Sequence, residues 1–106
     1  MKNEDNFDKV KQELIAAHNR GLKAVGLLLQ GEAQLRTPVD TGYLKGSIIH
    51  ETEKDSVKVG TNAEYAHYVE YGTSNQAAQP YLRPALYDND KRASRIYADH
   101  IKEVTG

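Results

Sequence analysis

Hydrophobic positions in the first third of the chain recur at helical spacing. Phe7, Val10, Leu14, Ala17, Leu22, Val25, Leu28 and Leu29 follow one another at short, near-regular intervals, which puts most of them on one stripe of a long helix. Asn3 or Asn6 is placed to cap its start. Gly21, Gly26 and Gly31 sit inside this pattern, and each costs about 1 kcal/mol relative to Ala in a helix interior. Their expected compensation is close approach to another element, or a break near Gly31. The helix ends before Thr37-Pro38, because a residue preceding proline avoids helical backbone.

The pattern then changes. Residues 37–42, TPVDTG, form a turn-rich connector in which Asp40 bonds amides ahead of it; Asp40 or Thr41 then caps a short turn over Gly42 to Lys45. Ser47 to Glu53 carries the β-branched pair Ile48-Ile49, and Ser56 to Thr61 alternates as Val57, Lys58, Val59 around a polar turn at Glu53-Lys54-Asp55. This predicts a β-hairpin. Two strands alone are marginal, so the hairpin must pack on the helix or pair with further strands. Thr61 or Asn62 caps a short helix from Ala63 to about Tyr71, and Gly72 closes it as the residue after the C-cap. Thr73 to Gln79 is small and polar, and reads as a flexible loop. Pro80 to Val104 reads as a second long helix, with Pro80 or Pro84 near its start, where a missing amide is harmless. Its stripe is Leu82, Leu86, Ala93, Ile96 or Tyr97, Ile101 and Val104, with a candidate break at Asp88-Asn89-Asp90. The predicted class is α+β: a long N-terminal helix, a small antiparallel sheet built on a hairpin, a short helix and a long C-terminal helix.

Composition narrows the function classes. A chain of 106 residues suffices for one compact domain and not for two. The net charge of −1 lacks the basic excess of a free-standing nucleic-acid binder. Cysteine is absent, which removes disulfide and thiolate chemistry and fits synthesis in a reducing cytoplasm. The first twelve residues, MKNEDNFDKVKQ, are too polar for a signal peptide. The longest apolar run, Ala24 to Leu29, is far too short to span a bilayer.

Three constellations invite a chemical reading. Asp40-Thr41-Gly42 is the triplet of aspartic proteases, whose paired carboxylates share a proton in a homodimer; here it follows a long helix and Thr37-Pro38-Val39 instead of an apolar strand, which favours a capped turn. His67 and Glu70 are spaced i, i+3, but a metal site needs three or four ligands with supporting partners, and none is apparent; no metal or cofactor is expected. Lys91, Arg92 and Arg95 form a small basic patch among Asp88, Asp90 and Asp99, which reads first as a solvated face with local ion pairs and second as a phosphate-contacting module. Tyr65, Tyr68 and Tyr71 lie three residues apart. One side of a short helix carries all three, and tyrosine is enriched at interface hot spots. The candidate contact residues are Tyr65, Tyr68, Glu70, Tyr71 and Arg83, with Val69 facing the core.

Four segments come in order: residues 37–48 (TPVDTGYLKGSI), 57–61 (VKVGT), 65–73 (YAHYVEYGT) and 79–86 (QPYLRPAL). Together they resemble the gp-ten-like family of tailed-phage and prophage proteins over roughly residues 37 to 86. The resemblance implies a non-enzymatic structural protein of the neck and tail-completion region, forming one head–tail joining domain over residues 1–106. It implies assembly of copies into a ring, contact with other phage connector or tail proteins, DNA passing through the channel, and no membrane. Such a protein is made in the bacterial host cytoplasm and resides in the virion. No catalytic residue comes with the family. Asp40 and Gly42 are expected to shape a turn, Gly60 and Gly72 to terminate elements, and Pro80, Arg83 and Pro84 to set the passage from loop to final helix.

Overall fold

The computed structural model describes residues 2–38 and 42–106. Helix α1 (Lys2–Arg36) is followed by α2 (Gly42–Ser47), β1 (Ile49–Thr52), β2 (Val57–Gly60), α3 (Ala66–Tyr71), α4 (Leu82–Asp88) and α5 (Asp90–Thr105). This is an α+β fold. Asp40, expected to shape or cap the turn into α2, lies outside the described residues.

α1 runs unbroken through all three glycines and stops one residue short of Thr37-Pro38. No break occurs at Gly31, where a Cβ would meet nothing within 4 Å. The other two glycines are sites of close approach. A methyl on Gly21 would come within 2.8 Å of the Tyr97 ring of α5, and one on Gly26 would overlap the His50 ring of β1. These two positions let α5 and the hairpin lie directly on the α1 backbone.

β1 and β2 pair antiparallel with Ile49 opposite Gly60, His50 opposite Val59, Glu51 opposite Lys58 and Thr52 opposite Val57. Alternation along a strand turns His50 and Val59 toward α1 and leaves Ile49 and Glu51 on the outer face. A two-stranded ribbon is marginal alone, and α1 supplies its support. His50 Nδ1 bonds Gln30 Oε1 at 2.7 Å. At the hairpin's tip, His18 Nε2 donates to the Lys54 carbonyl at 2.8 Å, while His18 Nδ1 lies 2.6 Å from the Tyr97 hydroxyl of α5. A carbonyl only accepts, so Nε2 carries a proton. One imidazole thus ties α1, the hairpin and α5 together.

The C-terminal helical stretch is two helices. Asn89 (φ −111°, ψ 14°) separates α4 from α5, is 6% exposed and donates its side-chain amide to the Ala85 carbonyl at 2.9 Å. The helical run begins at Leu82, after Pro80, and Pro84 falls in the first turn of α4. Glu32 and Arg36 on α1 brace this break. Arg36 pairs with Glu32 at 3.1 Å and reaches Asp88 at 3.7 Å. Bonding to Arg36, and then to Asn89, holds the Glu32 carboxyl below its ordinary value.

The core sits where the C-terminal half of α1 meets α2, the base of the hairpin, α3 and α4. Ala33, Leu44, Ile48, Ala63, Tyr81 and Ala85 are buried there, with Val59, Val69 and Leu82 packed around them. The molecule is long for its size. It measures 69 × 23 × 19 Å with a radius of gyration of 18.0 Å, against about 13 Å for a compact domain of this length. A 35-residue helix accounts for the excess, at about 1.5 Å of rise per residue.

The glycine contacts separate two substitutions. Gly26→Leu is expected to lower stability by about 1–3 kcal/mol through overpacking against His50. Gly31→Ala, helical and unobstructed, is expected to raise it by roughly 0.5–1 kcal/mol. Urea unfolding followed by circular dichroism measures both.

Candidate interaction surface

The segment from α3 to α4 is organised around one buried carboxylate. Glu70, in the last turn of α3, is 4% exposed. Its Oε1 accepts the N–H groups of Tyr81 (3.1 Å) and Leu82 (2.9 Å), and its Oε2 accepts the N–H of Arg83 (3.1 Å) and that residue's Nε–H (2.8 Å). Arg83 also donates to the Glu70 carbonyl at 3.2 Å. The first turn of a helix has N–H groups without partners inside the helix. α4 has no capping side chain of its own, so Glu70 does that work from another helix. Burial pushes its carboxyl up, but the N–H of Leu82, the Arg83 guanidinium and the N–H groups of Arg83 and Tyr81 outweigh it and hold the group below the ordinary glutamate range.

The chain between the two helices folds into a tight turn. Gly72 takes φ +78°, a conformation that L side chains rarely adopt, and donates its N–H to the Tyr68 carbonyl at 2.8 Å. Thr73 and Gln76 form a β-bridge, and the Gln79 N–H returns to the Val69 carbonyl at 2.9 Å. The loop from Thr73 to Gln79 is exposed and held at both ends.

The surface over this clasp is aromatic. Tyr68 and Tyr71 of α3 are more than half exposed, and Tyr65 at its start is more than a third exposed. Tyr43 of α2, 71% exposed, leans on Tyr65 with ring centroids 6.3 Å apart. The Arg83 guanidinium lies 4.5 Å from the centre of the Tyr71 ring, and Tyr87 one turn further along α4 is 75% exposed. Exposed tyrosines on a rigid support combine large contact area with little ordering entropy.

Of the candidate contact residues, Tyr65, Tyr68 and Tyr71 are at the surface, and Arg83 is half-exposed. Glu70 is not: its carboxylate faces inward onto the start of α4. Its i, i+3 neighbour His67 sets its ring 4.9 Å from that of Tyr71 at a tilt of 42°. Among the described residues, no group of three or more His, Cys, Asp or Glu is placed to hold a metal ion. Lys91, Arg92 and Arg95 are exposed on α5. Gly60 ends β2 and Gly42 opens α2. Tyr43 and Tyr87 extend the aromatic surface beyond what the three-residue tyrosine spacing indicates.

A family model described as "Bacteriophage HK97-gp10, putative tail-component" matches residues 2–72. The matched span takes in α1, α2, the hairpin and α3 and ends at Gly72, so it includes the N-terminal helix and stops before residues 79–86. No curated protein and no solved structure matches the chain. No helix among the described residues is long and apolar enough to cross a membrane.

Two consequences are measurable. Glu70→Ala is expected to cost about 3 kcal/mol, since it strips acceptors from three backbone N–H groups at the start of α4. The folded Glu70 carboxyl is the stronger acid, so its contribution is complete above the unfolded-state value. It is lost as pH falls below about 4. Urea unfolding at a series of pH values should show that acid limb in the native chain and a weaker one in Glu70→Ala. At Gly72, a Cβ would stand 2.7 Å from the Ala78 nitrogen and 3.0 Å from the Gln76 oxygen. Gly72→Ala is therefore expected to cost about 1–3 kcal/mol in the same assay.

Proposed function

The chain belongs to the HK97-gp10-like family of bacteriophage tail components, and from that premise we propose that it acts at the head–tail junction as a non-enzymatic, ring-forming subunit. Residues 1–106 serve as one joining and tail-completion domain in the neck and tail region of the virion. The observation that carries this reading is the exposed aromatic set: five tyrosines, at positions 43, 65, 68, 71 and 87, of which Tyr71 lies against the Arg83 end of the clasp. Tyrosine-rich surfaces on rigid supports are typical of interface hot spots.

A ring requires two different patches of one chain to be complementary. The tyrosine surface is one. The outer face and edge of the hairpin, where Ile49 is 53% exposed, and the basic residues Lys91, Arg92 and Arg95 offer the others. An unpaired strand edge accepts a strand from a neighbour. The remaining partners are connector or tail proteins on either side of the ring, with DNA passing through the channel.

Tyr68→Ser and Tyr87→Ser remove exposed rings without touching the buried core. Each is expected to weaken self-association or docking by roughly 10–30-fold while leaving the unfolding midpoint within about 0.5 kcal/mol of native. Light scattering of the purified protein and counts of joined particles from a phage carrying each variant measure the two effects. A protein that stays monomeric at every concentration, together with joined infectious particles from a phage lacking it, rules the reading out.

A further inference from the structure

The apolar stripe of α1 is covered along only part of its length. α5 runs antiparallel to α1, with Tyr97 over His18 and Gly21 and Glu103 paired to Arg20 at 3.6 Å. Residues 6–13 are exposed throughout, and from residue 6 onward the first buried position is Ala17. On this arm Phe7 is 70% exposed, Val10 46% and Ile15 52%. With Leu14 they stand at i, i+3, i+7 and i+8, the anchor spacing of a helix that lies in a groove. Further along the same stripe there is such a groove. Val25 and Leu29 of α1, Val57 of β2, and Ala93 and Tyr97 of α5 line an open apolar channel of about 390 Å³, with Asp55 at its rim.

We propose that the arm Phe7–Ile15 of one copy seats in this groove of the next copy. The contact rests on the reading of the chain as a self-assembling subunit. Arm and groove lie on one unbroken helix, so a chain cannot fill its own groove: Val10 and Val25 are held roughly 22 Å apart along the axis. The lengths agree. Phe7 to Ile15 rises about 12 Å and Leu22 to Leu29 about 10 Å. The charges agree as well, because Lys11 borders the arm's apolar surface and Asp55, 77% exposed although one oxygen lies 3.4 Å from His18 Nε2, borders the groove. Arm-on-arm pairing lacks this match, since an antiparallel pair centred on Val10 brings Lys11 of one copy level with Lys9 of the other. Arm-in-groove is a heterologous contact: each copy offers one arm and one groove, and the operation repeats into a ring if its rotation closes.

The chain has no cysteine, so introduced thiols report the contact directly. Val10→Cys and Val25→Cys are prepared singly and together, and oxidised at high protein concentration. A disulfide spans at most about 7 Å between Cα atoms, so one straight helix cannot link both positions within a copy. Neither single variant alone is expected to cross-link, their equimolar mixture should give a linked dimer, and the double variant a ladder of dimers, trimers and longer species. Efficient dimers from Val10→Cys alone establish arm-on-arm pairing and overturn the proposal. Absence of the mixed dimer in preparations that light scattering shows to be oligomeric also overturns it, and leaves self-assembly to the tyrosine surface. Absence of both cross-links and oligomers removes the contact and the self-assembly reading together.

Discussion

Three consecutive peptide N–H groups, those of Tyr81, Leu82 and Arg83, converge on the carboxylate of Glu70, and the placement of the C-terminal third depends on that convergence. A helix start left bare inside a protein is costly, and α4 has no cap of its own. Glu70 comes from α3, so satisfying α4 also sets the angle and distance between the two helices. The clasp holds Tyr81, 2% exposed, in the core. It also places Arg83 under the ring of Tyr71. Tyr71 is therefore presented by a lock whose carboxylate is buried and whose guanidinium is half-exposed, with the tight turn at Gly72 closing the circuit through the chain. The family match ends at Gly72, so Glu70 is one of the residues through which the matched part grips the rest, alongside His18 on Tyr97 and Arg36 on Asp88.

The second organising element is α1. Every other layer leans on it: the hairpin through His50 and Gln30, α5 through Tyr97, and the α4–α5 break through Glu32 and Arg36. The outer connections are polar and local, while the shared core is small and lies at one end. Local unfolding of the hairpin tip or the far end of α5 should therefore be easier than unfolding of the core around Leu44, Ile48 and Tyr81.

Much of this fold was legible in the residues. The near-helical recurrence of apolar residues from Phe7 to Leu29, mostly three to five apart, marks α1, and Pro38 marks its end. The alternation at Val57-Lys58-Val59 marks the hairpin, and Asp88-Asn89-Asp90 marks the junction of the last two helices. The short helix begins later than Ala63 because the Thr61 hydroxyl accepts the Ala63 N–H at 3.1 Å and Ala63 itself turns into the core. Glu70 was not legible. Set among the tyrosines it reads as a contact residue, and its partners are peptide groups more than ten residues away, which leave no trace in side-chain identity. Tyr81 was hidden for a related reason: nothing in its neighbourhood separates a core tyrosine from the surface ones. For the surface itself, regular spacing disclosed Tyr65, Tyr68 and Tyr71, while Tyr43 and Tyr87 join them only through the packing of α2 and α4.

The unbroken course of α1 gives its two ends a common phase. A helix turns about 100° and advances about 1.5 Å per residue, so the facing of the projecting end is dictated residue by residue from the packed end. One residue inserted just after Ile15, ahead of the packed residues Ala17, His18 and Gly21, swings Phe7 and Val10 about a quarter-turn around the axis, though no contact made by those three need change. Seven residues restore the facing to within about 20°. Eleven residues do so equally well, at about 3.67 per turn, so the projecting end keeps its facing only through steps of nearly whole turns, as a gear advances by whole teeth.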